Sequence, residues 1–139
     1  MPELPFKILG IEHVGIAVND LNGISDVFGD LLGLKLRSRE KIDDQQVITD
    51  IYETGSGKLE FLKATDKNSP IAKFIEKKGT GMHHIALKVD NLQAALNYLK
   101  GQGTQLIDTS PRIGAEGFKI AFLHPKSTGG VLIELCEKK

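Results

Sequence analysis

The sequence predicts an α+β fold made of two paired β-α-β-β-β modules. Three observations predict it. His13-Val14-Gly15-Ile16-Ala17-Val18 and His84-Ile85-Ala86-Leu87-Lys88-Val89 share one pattern: His opens an apolar alternation, and an Asn/Asp pair and a Leu close it. Lys58-Leu59-Glu60-Phe61-Leu62 resembles Leu132-Ile133-Glu134-Leu135-Cys136. Between each His segment and its Glu segment lies one amphipathic helical pattern. The copies are about half a chain apart, and such a repeat sets the architecture. Each half opens on a strand carrying His and closes on a strand carrying Glu.

The elements follow in order. Residues 1–7 read as an arm held loosely to the domain. Ile8 to Val18 reads as a strand whose side chains alternate between its faces. Val14, Ile16 and Val18 share one face, expected under helices; His13, Gly15 and Ala17 share the other. Asp20 can cap a helix from Leu21 to Leu32, with Ile24, Val27, Phe28, Leu31 and Leu32 inward. Gly33 ends it as a left-handed C-cap. Leu34–Arg37 alternates as a strand, 40–46 reads as a polar loop, and Val47–Tyr52 is a strand. Thr54 to Gly57 makes a hairpin turn, and Lys58–Leu62 closes module one, about residues 8–64. Ser69 and Pro70 look like an N-cap and a first-turn proline for a linker helix over about 69–79.

Module two, about 82–137, repeats the plan. A strand over His83–Val89 is followed by a cap at Asp90 or Asn91. A helix then turns Leu92, Ala95, Leu96 and Leu99 inward. Next come a strand near Gln105–Asp108, a loop over Pro111–Gly117, a strand over Lys119–Leu123, a turn over 124–130 and a strand over Val131–Cys136. The whole, residues 1–139, is expected to be a single domain.

Composition narrows the function. The chain has 139 residues, 40% of them hydrophobic, and Lys+Arg and Asp+Glu both number 18. That balance argues against nucleic-acid binding, which needs a basic excess to displace counterions. No apolar run approaches the roughly 20 residues that span a bilayer, so no membrane association is expected. The single Cys136 excludes an intramolecular disulfide and fits a reducing compartment. The N-terminus lacks a basic region followed by an apolar one, so no signal peptide and a cytoplasmic location are expected.

A lone His on a strand is usually a core or surface residue, and a repeated one is not lone. Carboxylates amid Leu59, Phe61, Ile133 and Leu135 need a partner when buried. A divalent metal between the modules, held by His13, Glu60, His84 and Glu134, would supply it. Imidazole plus carboxylate suits Zn, Fe, Co, Ni or Mn. His83 faces away from His84 and reads as strand support. His124 reads as turn chemistry, and Cys136 as packing.

Three stretches resemble the methylmalonyl-CoA epimerases of the vicinal oxygen chelate superfamily: Asn68–Phe74, Gly81–Ala86 and Phe122–Leu135. The resemblance implies a curved, half-barrel-like mixed sheet around a metal site, with ligands at His13, Glu60, His84 and Glu134. It implies an acyl-CoA substrate, epimerised at C2 through an enolate, and a homodimer is expected. Glu134 resembles a glutamate given an acid–base role in the family. A second such residue, on the strand that here runs Val47–Ile51, aligns with Thr49, with Asp50 beside it on the opposite face. Asp50, Glu53 or a water is the expected second proton carrier, with Asp50 and Glu134 as the catalytic pair. Other readings are a glyoxalase-type isomerase or dioxygenase on the same scaffold, and a metal-free binding protein of the drug-sequestering type.

Overall fold

The computed structural model describes residues 3–138. These divide into two compact units: His13 to His83, and the chain up to Glu12 together with the chain from His84 onward. The α+β class and both β-α-β-β-β modules are present.

The first unit takes up strand β1 (Ile8–Ala17) from His13 on, and β1 leads to α1 (Asn22–Ile24), which continues as a π-helix over Ser25–Leu31. Then come β2 (Lys35–Ile42), β3 (Val47–Glu53), β4 (Lys58–Ala64) and α2 (Pro70–Lys78). The strands lie in the order β2-β3-β4-β1, antiparallel except for the parallel β1–β4 pair. Each face has its own core. Ile16, Val18, Leu21, Ile24 and Phe28 pack with Tyr52 and Phe61 on the face under the first helix. On the other face, that of His13 and Glu60, the linker helix α2 sets Ile71, Phe74 and Ile75 against Ala17, Val47 and Leu62.

The first helix departs from expectation. Leu32 N–H bonds Val27 O at 2.8 Å, five residues back. This π geometry widens the turn, so the later residues rotate off the face a 3.6-residue period would give them. Val27, Leu31 and Leu32 are exposed as a result. Asp20 does not sit at the N-cap; its Oδ1 accepts the Asn22 N–H at 3.0 Å. Gly33 at φ +74 takes the expected left-handed conformation. Strand β2 runs into the expected polar loop as far as Ile42, and a short 3-10 turn follows at Asp43–Gln45. Ser69 caps α2 by accepting the Ile71 N–H at 3.2 Å, with Pro70 in the first turn.

In the second unit, β5 (Gly81–Val89) leads to α3 (Leu92–Gly101), β6 (Arg112–Ile113), β7 (Lys119–Leu123) and β8 (Ile133–Glu137). The order is β5-β8-β7-β6, with β5 and β8 parallel. Asn91 caps α3 through the Ala94 N–H at 3.0 Å. Val89, Leu92, Ala95, Leu96, Ala121, Leu123 and Leu135 form the helix-side core. The opposite face carries Ala86, Ile120, Phe122 and Cys136. The strand expected over Gln105–Asp108 reduces to one bridge, Leu106 with Leu123, while the expected loop after Pro111 holds β6.

Of the arm read over 1–7, residues 1 and 2 lie outside the described residues; Phe6 and Lys7 are held in place. Phe6 packs on the helix-side core of the second unit, with its ring 6.1 Å from that of Tyr98. Lys7 N–H donates to Asp90 Oδ1 at 2.7 Å, and Asp90 N–H donates to Lys7 O at 3.2 Å. No helix among the described residues is long and apolar enough to cross a membrane.

Candidate functional site

Both units build the same His–Glu pair by the same register. In the first, Gly15 lies across from Glu60 in the parallel β1–β4 pair, and His13 lies two residues before Gly15. Side chains at 13, 15 and 17 share a face, so the missing side chain at 15 leaves Glu60 room to lean toward His13. His13 Nδ1 stands 3.1 Å from Glu60 Oε2. In the second unit, Ala86 lies across from Glu134 in the parallel β5–β8 pair, two residues after His84. His84 Nε2 stands 3.4 Å from Glu134 Oε1. The motif is thus His, a small residue two positions on, and Glu opposite that small residue.

All four side chains are buried, at 4–5% exposure. A carboxylate taken from water costs several kcal/mol unless paired and hydrogen-bonded. Each imidazole offsets part of that cost, and imidazole and carboxylate are both donors that suit a divalent ion. Buried His and Glu groups that could hold one are present. The Phe122 ring meets His84 edge-on at 5.5 Å. Phe122 lies directly across from Glu134 in β7–β8, so ring and carboxylate share a face.

Asp50 is placed elsewhere. It lies across from Phe61, while Ile51 lies across from Glu60, so Asp50 points to the face under the first helix and Glu60 to the face under α2. There Asp50 takes a two-pronged contact from Arg39, with Nε 2.6 Å from Oδ1 and Nη2 2.9 Å from Oδ2. Its charge is committed to that pair. Glu53 has the parity of Ile51, hence the face of Glu60, and is held in an ion pair with Arg37 at 2.8 Å. Thr49 has the parity of Ile51 and hence the face of Glu60; its Oγ1 is buried and has no hydrogen-bond partner among the described residues. His83 packs edge-on against Phe74 at 4.9 Å, and burial lowers its pKa to about 4, which fits strand support. His124 Nδ1 accepts the Lys126 N–H at 3.1 Å, as turn chemistry requires. Cys136 is buried and donates to Leu87 O at 3.6 Å.

Two features escaped the sequence. Glu12, beside His13, is buried at 5% exposure. Its signal was an acidic residue inside an otherwise apolar strand. Arg112, on β6, reaches the Glu134 face of its unit; no periodicity marks a strand of two residues.

Residues 12–122 match the Glyoxalase/Bleomycin resistance protein/Dioxygenase superfamily. The uncharacterized protein YqjC of Bacillus subtilis (strain 168) is 43% identical over 93% of this chain and 92% of its own length. The mitochondrial methylmalonyl-CoA epimerase of Mus musculus is 37% identical over 94% of this chain and 74% of its own. The crystal structure of methylmalonyl-CoA epimerase from Mycobacterium tuberculosis superposes with TM-score 0.90 at 36% identity, covering 95% of this chain and 89% of that one. With the glyoxalase-type match spanning most of its length and a curated epimerase aligned over nearly all of it, the chain belongs to the methylmalonyl-CoA epimerase family of that superfamily.

Proposed function

We propose that the chain inverts the configuration of methylmalonyl-CoA at C2. The observation that carries this reading is the His–small–Glu register, built once in each unit with both carboxylates buried. We assign one divalent ion to His13, Glu60, His84 and Glu134. When bound, the ion supplies positive charge to the acyl oxygens as negative charge builds on them.

The chain's own residues do the rest. Glu134 takes the C2 proton, and the electron pair passes to the thioester carbonyl. His84, 3.4 Å from Glu134, orients that carboxylate, and Phe122 lies across from it. Inversion needs a second proton carrier. Asp50 and Glu53 are each held by an arginine, at 2.6 and 2.8 Å. We therefore assign that role to a water held by the Thr49 hydroxyl, a buried group on the Glu60 face that wants a partner. The working form is a homodimer, a reading supported by exposed Ile8, Leu9 and Ile11 along β1 and checked by light scattering.

The test is proton NMR of methylmalonyl-CoA with the protein in D₂O. Loss of the C2 proton signal at a catalytic rate is expected; a signal that persists as in the protein-free control ends the proposal.

A further inference from the structure

We infer that Arg112 is a substrate-anchoring residue, a preorganised guanidinium fork that receives an anionic pair of oxygens on the substrate. The inference rests on the epimerase reading and adds to it a group that chelation by the His–Glu pairs does not require.

Arg112 is fixed from two directions. Its guanidinium carbon stands 5.6 Å from the centre of the Phe122 ring, over that ring. Its Nε lies 3.3 Å from Asp108 Oδ1, an ion pair without the alignment of a hydrogen bond. Asp108 is itself tied down. Its Oδ2 accepts the Phe122 N–H at 2.8 Å, and its own N–H donates to Phe122 O at 3.2 Å. One carboxylate thus joins the arginine to the strand that carries the ring beneath it.

The ring places the fork near the chemistry. Phe122 lies across from Glu134, and its ring also meets His84 at 5.5 Å. Arg112 lies across from Ile120, which shares the face of Phe122. The guanidinium, Phe122, His84 and Glu134 therefore line one face of this unit. The Arg112 side chain is 36% exposed, and neither Nη donates a hydrogen bond among the described residues.

An exposed arginine with no purpose would be expected to keep its rotamer freedom. Here stacking and the Asp108 contact restrict it in advance, while neither Nη is taken up by a hydrogen bond among the described residues. A planar fork with open donors matches a carboxylate or phosphate, and prior ordering lowers the cost of binding. The substrate offers both anions: the acyl carboxylate and the CoA phosphates.

The test uses the full-length, metal-loaded protein. C2 exchange is measured with methylmalonyl-CoA and with methylmalonyl-pantetheine, which keeps the acyl group and lacks the phosphates. Arg112→Gln should raise KM about ten- to a hundredfold while kcat changes little, as for loss of charged hydrogen bonds. Arg112→Lys keeps the charge without the fork and should recover only part. Asp108→Asn, which loosens the fork and leaves Arg112 in place, should give a smaller rise in KM. A loss equal on both substrates assigns the carboxylate; a loss confined to the CoA thioester assigns a phosphate. KM unchanged on both substrates in folded Arg112→Gln and Arg112→Lys overturns the inference, as does a loss carried by kcat alone. A wild type that exchanges no C2 proton refutes the epimerase reading and this inference with it, a result distinct from either of those.

Discussion

Ala86 lies directly across from Glu134 in the parallel β5–β8 pair, just as Gly15 lies across from Glu60 in β1–β4. Each small residue sets the space into which a carboxylate leans toward its histidine. Ala86 is fully buried, in a cluster with Ile120, Phe122 and Cys136. Ala86→Leu should therefore overpack this face, at a cost of about 1–3 kcal/mol. It should also displace Glu134 and lower metal uptake. Urea unfolding and elemental analysis check the two effects separately. Full metal content in a folded Ala86→Leu protein would show that the small residue is not what positions Glu134.

The second prediction concerns the ion. Protein purified without chelator should hold about one divalent ion per chain, by the assignment of both His–Glu pairs to one site. Chelation should lower the melting temperature, because a ligand that binds only the folded chain stabilises it by about 2.7 kcal/mol at a hundredfold excess over Kd. His84→Ala should abolish uptake. Elemental analysis and thermal melts check this; an unchanged metal content in His84→Ala removes that residue from the site.

The third separates Asp50 from Thr49. Asp50→Asn removes the charge from the Arg39 pair, which is exposed on the arginine side, and should cost about 1–2 kcal/mol. C2 exchange should stay near wild type. Tyr52 provides a second readout, since its pKa lies above its usual 10.0, first through burial and then through the Asp50 charge. Its raised pKa means that the folded state holds this proton more tightly than the unfolded chain. The associated stability is present below pH 10.0 and is lost as pH rises through the folded value. Ultraviolet titration of Asp50→Asn should show Tyr52 ionising at lower pH than in wild type. Thr49→Val, by contrast, should slow C2 exchange while the fold persists. The opposite pattern, with exchange lost in Asp50→Asn and kept in Thr49→Val, would return the proton-transfer role to Asp50.

The sequence disclosed much of this, and the gaps have physical causes. Strand parity placed His13 and Glu60 away from Ile16 and Val18, because a period of two is read directly from the residues. The same parity set Asp50 on the face opposite Thr49; only the register with Arg39 shows what holds it there. The π-helix was hidden because Ile24, Val27, Phe28, Leu31 and Leu32 also satisfy an α-helical period. Strand β6 was hidden because its two residues sit between Pro111 and Gly114, in turn-like sequence. Phe6 and Lys7 looked loose because their partners, Tyr98 and Asp90, are remote in the chain.

The fourth prediction follows from that arm. Phe6 packs among residues that all lie beyond position 84, and Lys7 exchanges hydrogen bonds with Asp90. A chain ending at Lys78 leaves those groups without partners. We predict that residues 1–78 do not unfold cooperatively as a monomer, which urea titration followed by circular dichroism checks. A sharp monomeric transition would show that module one is an independent domain.

The last prediction tests the division of labour between the two carboxylates. Glu60 and Glu134 occupy equivalent places, each opposite a small residue and each beside its own histidine. Their surroundings differ. Glu134 faces the Phe122 ring across β7–β8, whereas Glu60 has Ile51 across from it and lies on the face with the Thr49 hydroxyl. On the proposed assignment Glu134 is both ligand and base, and Glu60 is mainly a ligand. Glu60→Gln keeps an oxygen donor and should retain much of the activity. Glu134→Gln keeps an oxygen donor too, but its amide takes up no proton near neutral pH. General acid–base groups contribute about 10²–10⁴-fold, so its C2 exchange should fall in that range. Both variants must be compared at equal metal occupancy, because a lost ion would mimic a lost base. Rates of deuterium wash-in at C2, measured beside metal content, make the comparison. If Glu134→Gln keeps its ion and exchanges as fast as wild type, Glu134 is not the base, and the water assigned to Thr49 becomes the first proton acceptor to test.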